Sequence, residues 1–338
     1  MAQSLAVKYR PKTWDEVVGQ DTIVTILKRQ LQVGEIKNCL LFCGTSGGGK
    51  TTCARIYAKE INKGVGNPIE IDAASNNGVD NVRVLVAQAK ERAIDGEYKV
   101  FIIDECHVLS NQAWQAWLKC IEEPPKYTIF IFCTTDPQKI PETILNRVQR
   151  YNFSRISTNQ IRDRLEYVCR CEGFTNYKES IEYIAKLADG GMRMSLALLD
   201  KCATYSKDLS IQNVLSVLGN CSYDMFFDLV NAIIDREERT ISKIVNDYYN
   251  SGADIMQFVE QFLVFCLDLQ KYQLFSSMEL LTIPSHYENN VKYSINFDDA
   301  SKFFIAMIDK LLDLKNTIKY DTNPKLVVEI TLLQMARN

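Results

Sequence analysis

The run Gly44-Thr45-Ser46-Gly47-Gly48-Gly49-Lys50-Thr51 constrains the fold of this chain more than any other stretch. It reads as Gly, four residues, then Gly-Lys-Thr. The apolar run Cys39-Leu40-Leu41-Phe42-Cys43 precedes it, and Thr52, Arg55, Ile56 and Lys59 behind it recur at helical spacing. A strand, a glycine-rich turn and a helix in that order make a phosphate-binding loop. The glycines let the backbone turn its N–H groups inward on phosphates, Lys50 can reach the β- and γ-phosphates, and the Thr51 hydroxyl is a ligand for Mg²⁺.

Such a loop needs a parallel sheet behind it. Val100-Phe101-Ile102-Ile103 is a short continuous apolar run, the pattern of a strand buried on both faces, and Asp104-Glu105 closes it. Carboxylates at the carboxyl end of a strand, downstream of a phosphate loop, form a Walker B pair: Asp104 would hold Mg²⁺ through water and Glu105 would polarise the attacking water. Thr128-Ile129-Phe130-Ile131-Phe132-Cys133 predicts another buried strand, ending in Thr134-Thr135-Asp136, and Ile69-Glu70-Ile71 a short one. Helices are expected from about Asp21 as N-cap to Gly34, along Val79, Val82, Leu85, Val86 and Ala89, and from Asn111 through Trp114, Trp117, Leu118 and Ile121 to the stop at Pro124-Pro125. Alternating strands and helices imply an α/β domain with a parallel sheet and flanking helices, its strand ends gathered on one edge. His107 reads as a local hydrogen-bonding residue.

From about Ser157 the strand patterns stop. Ile161, Leu165 and Val168, then Ile181, Ile184 and Leu187, then Met192, Leu196 and Leu199 repeat at helical spacing. After a break near Gly219-Asn220 the helical pattern resumes over Phe226 to Ile234, Ile241 to Tyr249 and Phe258 to Leu274. A closing pair carries Phe304, Ile308, Leu311 and Leu312, then Leu326, Ile330 and Leu333 behind Asn323-Pro324. Three domains are expected, at 1–156, 157–219 and 220–338, the last two helical; 338 residues suit two or three.

Composition narrows the setting. With 46% hydrophobic and 24% charged residues the chain reads as a folded soluble protein. No apolar run approaches the roughly 20 residues that span a bilayer, and Lys8 and Arg10 ahead of Trp14-Asp15-Glu16 do not make a signal peptide, so a cytoplasmic location and no membrane partner are expected. Eleven cysteines, an odd number with no C-x-x-C spacing, read as reduced thiols in apolar runs, and Cys169 and Cys171 point to different faces of a helix. No structural zinc is expected. The net charge of −3 gives no global nucleic-acid signature, so any DNA contact must be local.

Lys8-Tyr9-Arg10-Pro11 with Val17-Val18-Gly19-Gln20, the phosphate loop, Glu70-Ile71-Asp72-Ala73-Ala74-Ser75, Ile103-Asp104-Glu105, Glu122-Glu123-Pro124-Pro125 and Thr134-Thr135-Asp136-Pro137-Gln138-Lys139-Ile140-Pro141 through Ile144-Leu145 form an ordered set over residues 7 to about 200. In this set the chain resembles the clamp-loader ATPases of the AAA+ class, and among them the bacterial DNA polymerase III gamma/tau family. The resemblance implies ATP and Mg²⁺ as ligands, with Tyr9, Arg10, Pro11, Val17 and Val18 around the adenine. Gly44, Gly47, Gly48, Gly49, Lys50, Thr51 and Thr52 would hold the phosphates, and Thr51 and Asp104 the Mg²⁺. It makes Thr135 the sensor 1 residue, on the γ-phosphate or attacking water. Arg193 becomes sensor 2, contributed by a helical lid, although it also reads as an exposed arginine at a helix start. Arg147 would be a finger completing a neighbouring subunit's site. Asn77 and Arg83 resemble positions that face DNA, and each reads equally as an ordinary surface residue; Lys119 is a weaker candidate.

Two departures stand out. The family shows Ser-Arg-Cys where this chain has Asn146-Arg147-Val148, and a four-cysteine zinc module where Lys63 to Pro68 makes a short turn. The resemblance implies a trimmed loader without the tau tail, bacterial or viral, working in a bacterial or virus-infected bacterial cell. Its C-terminal helices would form a collar in an assembly, expected to be pentameric, with other loader subunits. ATP binding would open a ring-shaped sliding clamp for loading on primer-template DNA, and hydrolysis would release it. Two other functions stay open: a non-catalytic scaffold subunit of the same complex, and a P-loop helicase, since Asp104-Glu105-Cys106-His107 imitates a helicase box.

Overall fold

The computed structural model describes residues 3–218 and 223–337, so the break expected near Gly219-Asn220 lies outside the described residues. The four apolar runs become the strands β1 Cys39–Gly44, β2 Ile69–Asp72, β3 Lys99–Asp104 and β4 Thr128–Thr134. A fifth strand, β5 Gln149–Phe153, was not expected from the sequence. The sheet order is β2-β3-β4-β1-β5, and every neighbouring pair is parallel. β5 lies on the edge, so only alternate residues need burial: Tyr151 and Phe153 are buried while Arg150 and Asn152 are exposed. That leaves no continuous apolar run to read.

Helices cover both faces. After the one-turn α1 Leu5–Lys8, α2 Asp21–Val33 and α3 Lys50–Ile61 pack on one face. There Leu40, Phe42, Ile102, Ile131, Tyr151 and Phe153 meet Leu27, Cys53, Ile56 and Tyr57. On the other face lie α4 Val79–Ala89, α5 Asn111–Glu122 and α6 Glu142–Leu145; Leu41, Phe101, Ile103, Phe130 and Phe132 meet Val82, Trp114, Trp117 and Ile144. The period-2 alternation of β1 divides Leu40 and Phe42 from Leu41 and Cys43 across the two faces, as a central strand requires. Asp21 proves to be the first residue of α2, with Gln20 at the cap position, and Gly34 ends the helix in the left-handed conformation at φ +77°.

Beyond β5 the helices α7 Thr158–Glu172, α8 Lys178–Leu187, α9 Met192–Tyr205 and α10 Ile211–Leu218 follow. Then come α11 Tyr223–Ile234, α12 Glu238–Asn250, α13 Ile255–Phe275, α14 Glu288–Ser294, α15 Ala300–Thr317 and α16 Pro324–Arg337. The chain divides into two compact units: residues 1–172 with 184–200, and 173–183 with 201–338. The core of the second unit is built on α13, whose Phe258, Phe262 and Phe265 pack on Phe226 of α11. Its Asp268 is fully buried and stabilised by the backbone N–H and hydroxyl of Thr282, both at 2.5 Å, which fasten the connection after α13. Among the described residues no helix is long and apolar enough to cross a membrane.

Trp117 is fully buried against Phe130 and Phe132, at ring separations of 5.0 and 5.6 Å. Trp117→Ala is expected to destabilise the sheet unit by about 3–5 kcal/mol, as large-to-small changes in tight cores do. A denaturant titration measures this, and a loss below about 1 kcal/mol would mean that the α5 face is not tightly packed against the sheet.

Candidate nucleotide site

β1 stops at Gly44, whose φ of +153° and close packing admit only glycine: an added Cβ would lie 2.5 Å from the Phe153 carbonyl oxygen of β5. The loop then turns through Gly47 at φ +74° into α3. The Gly47 carbonyl accepts from the backbone N–H of Met192 at 3.2 Å, so the first turn of α9 is seated directly on the phosphate loop. Lys50 is buried, and its Nζ donates to the carbonyls of Gly44 and Thr45, each at 2.9 Å. These contacts hold the cation across the mouth of its own loop, where it can meet phosphate oxygens.

The order β3-β4-β1 sets the carboxyl ends of three strands side by side. Thr51 Oγ1 donates to Asp104 Oδ2 at 2.7 Å, and Asp104 Oδ1 accepts from the Glu105 backbone at 3.1 Å. A hydroxyl and a carboxylate together are hard oxygen donors, and Mg²⁺ takes one or two such protein ligands and completes its shell with water and phosphate oxygens. The donor set therefore fits Mg²⁺. Thr45 Oγ1, buried and without a hydrogen-bond partner among the described residues, leaves a further polar group in the loop unsatisfied by protein. Glu105 has φ +48°, a left-handed turn that ends β3, and its Oε2 accepts from Thr135 Oγ1 at 3.0 Å.

One cavity gathers most of the expected residues. Tyr9, Arg10, Pro11, Val17, Val18, Gly47, Gly48, Gly49, Lys50, Thr51, Thr52, Asp104, Glu105 and Arg193 all line it. Gly44 lies behind the loop, and Thr135 meets the cavity through Glu105. Arg147, Asn77 and Arg83 are outside its lining and exposed. Arg147 pairs through Nε with Glu122 at 2.8 Å and donates to the Thr143 carbonyl at 2.6 Å. Arg83 pairs with Asp80 at 3.1 Å. The carbonyl of Asn77 accepts from the N–H of Ser110, which caps α5, at 3.4 Å.

Other lining residues escape sequence reading. Ala6, Ile156 and Leu196 supply apolar wall from three distant segments, and Arg164 of α7 donates to the Tyr9 carbonyl at 3.1 Å. The Tyr9 hydroxyl donates to Glu172 at 2.5 Å; burial and that carboxylate push the phenol far above its ordinary value, so it stays a neutral donor. Gln20 is the residue whose role was least visible. It is buried; its Nε2 donates to the carbonyls of Gly48 at 3.2 Å and Ser154 at 2.8 Å, while its Oε1 accepts from the N–H of Ser154 at 3.2 Å. One amide thus ties the phosphate loop to the end of β5. The ten described cysteines are free thiols, all but Cys171 buried, and burial pushes Cys53 beneath the loop up to about 12.

Comparison with known proteins gives this geometry a lineage. The family model for DNA polymerase III subunits gamma and tau, domain III, matches residues 209–338, and that for the DNA polymerase III delta subunit matches residues 67–157. The DNA polymerase III subunit gamma of Buchnera aphidicola subsp. Schizaphis graminum is 30% identical over 98% of this chain and 97% of its own length. The chain belongs to the DNA polymerase III gamma/tau family. Within this family it is also 33% identical to the subunit tau of Bacillus subtilis and 34% identical to that of Escherichia coli K12, covering 99% and 75% of this chain. It spans only 63% and 43% of those two relatives. Among solved structures, the Thermotoga maritima RuvB Holliday junction branch migration motor superposes over 67% of this chain and 79% of its own with a TM-score of 0.53 at 19% identity. That likeness, with the five-stranded parallel sheet, shows the AAA+ P-loop fold in this gamma/tau member.

Gln20→Ala removes one side chain from three hydrogen bonds. Leaving the Gly48 and Ser154 groups unsatisfied is expected to cost about 1–3 kcal/mol of stability and to weaken nucleotide binding, because the loop loses its tie to β5. Denaturation and a fluorescent-nucleotide titration check both; unchanged nucleotide affinity would remove Gln20 from the site.

Proposed function

We propose that this chain is an ATPase motor subunit of a DNA polymerase sliding-clamp loader, in which ATP binding drives clamp opening and hydrolysis releases the clamp on primer-template DNA. The observation that carries this reading is the joining of Thr51, Asp104, Glu105 and Thr135 at one sheet edge, in a chain of the gamma/tau family. A non-catalytic scaffold subunit has no need of that constellation.

The residues divide the chemistry. Gly47, Gly48, Gly49 and Thr52 offer backbone N–H groups to phosphate oxygens, and Lys50 supplies the fixed cation. Thr51 and Asp104 would hold Mg²⁺, which when bound neutralises charge on the phosphates. Glu105 accepts a proton from, and orients, the attacking water; Thr135, whose hydroxyl donates to Glu105, would meet that water as an acceptor, and Arg193 places a donor where charge develops on the γ-phosphoryl group. Tyr9, Arg10, Pro11, Val17 and Val18 enclose the base. Arg147, outside its own cavity and exposed, is suited to a neighbouring subunit's γ-phosphate.

The division into an ATPase domain at 1–156, a lid at 157–219 and a collar at 220–338 belongs to the same proposal. Exposed apolar side chains on α13 and α15, among them Val264, Leu267, Leu274, Ile305 and Leu312, support a collar that packs against other loader subunits in a pentamer. Asn77 and Arg83, exposed around the start of α4, support sequence-independent contact with DNA phosphates.

ATP turnover measured with and without primed DNA and the sliding clamp tests the reading. Stimulation by both is expected; duplex unwinding would point to a helicase, and no turnover in the complete assembly to a scaffold. Arg147→Ala should leave ATP affinity within about twofold and lower stimulated hydrolysis by about 10³-fold, the scale of a finger arginine. A collapse of ATP binding would make Arg147 a residue of its own subunit's site.

A further inference from the structure

Glu105 must present one carboxylate oxygen to water in a fixed direction, yet its side chain is 40% exposed and stands on a single left-handed residue. Left to itself, an exposed glutamate samples many rotamers, and fixing it costs side-chain entropy. One group hydrogen-bonds the carboxylate and a second lies close to the same oxygen. Thr135 Oγ1 donates to Oε2 at 3.0 Å, and His107 Nδ1 lies 3.4 Å from that atom. Among the described residues Oε1 accepts no hydrogen bond, so the carboxylate is held by one oxygen with the other free to take a proton.

We propose that His107 is a positioning residue of the ATPase site, holding the Glu105 carboxylate through Nδ1. Its ring is well placed for this, because its side chain is only 15% exposed and Nδ1 also lies 3.2 Å from Oγ1 of Thr134, a fully buried residue at the end of β4. Thr134 Oγ1 is itself fixed by the backbone N–H of Asp136, which donates to it at 3.0 Å. We assign the proton to Nδ1, where it faces the anion; the other tautomer would accept the Thr134 hydroxyl proton but set a nitrogen lone pair 3.4 Å from the carboxylate. Nδ1 then has Thr134 Oγ1 as its hydrogen-bond partner at 3.2 Å and faces the Glu105 carboxylate at 3.4 Å, an electrostatic contact. His107 and Thr135 therefore link the acid that follows β3 to the two consecutive threonines at the end of β4 and just beyond it, and His107 need not touch nucleotide for the link to matter.

The inference rests on Glu105 acting on the attacking water, so Glu105→Gln is measured beside it. In the assembled, clamp- and DNA-stimulated complex, His107→Ala is expected to lower kcat by about tenfold while nucleotide affinity stays within about twofold. His107→Asn, whose amide nitrogen takes the place of Nδ1, should recover most of that loss; His107→Gln, whose amide reaches the place of Nε2, should not. Thermal midpoints of all three report folding. In the Glu105→Gln background, adding His107→Ala should change nothing further. Equal rates for the Asn and Gln variants, a fall in affinity that matches the fall in rate, or full activity of His107→Ala would overturn the proposal. If Glu105→Gln itself turns over normally, the reading of Glu105 fails first, and that result is separable from the other three.

Discussion

A hydrogen bond of 2.7 Å between Thr51 at the start of α3 and Asp104 at the end of β3 is the contact on which the rest of the site depends. The two residues belong to elements separated in the sheet by β4, so they can meet only if β1, β4 and β3 are in register. Register in turn is set by burial. Each of these strands has both faces covered, and a slip of one residue would carry Phe130 and Phe132 from the α5 face to the α3 face. Packing around Trp117 is therefore a condition for the chemistry at the other end of the same strands.

Much of this was legible in the sequence, for a physical reason. Buried parallel strands announce themselves as continuous apolar runs, and a phosphate loop cannot be built without its glycines and lysine, so β1, β3, β4 and the residues at their ends could be named in advance. β5 carries no comparable sign, because an edge strand alternates and Gln149-Arg150-Tyr151-Asn152-Phe153 holds only two buried side chains. Gln20 stood inside a motif that carried the resemblance, but its role depends on Ser154, more than a hundred residues away, brought beside it by pairing of β5 with β1. Arg164 and Leu196 entered the cavity wall by the same kind of long-range closure. His107 looked like a local hydrogen-bonding residue, and it is one; its consequence comes from the identity of the carboxylate it meets.

The phosphate loop is also tied to the helices beyond the sheet. The Gly47 carbonyl takes the N–H of Met192, and Gly191 lies 3.3 Å by its would-be Cβ from the Ser46 carbonyl, so two glycine-bearing turns approach backbone to backbone. Any side chain on Gly47 would press on the start of α9. Movement of the loop and movement of Arg193 are therefore linked through main-chain contacts.

The contrast between Glu105 and Arg147 separates the two halves of the proposed site. Glu105 is restrained through one oxygen only, which accepts from Thr135 just beyond β4 and lies 3.4 Å from His107 Nδ1. Arg147 is paired with Glu122, but both side chains are about 40% exposed, and a pair of that kind holds its members by roughly 0–1 kcal/mol. A guanidinium tethered so weakly can exchange its carboxylate for a phosphate of another subunit at little cost. Orientation is kept by the Thr143 carbonyl, 2.6 Å from the same side chain. The Glu122 and Thr143 contacts hold Arg147 at the surface, outside the lining of its own cavity, where the phosphate of the proposed neighbouring subunit would compete for it.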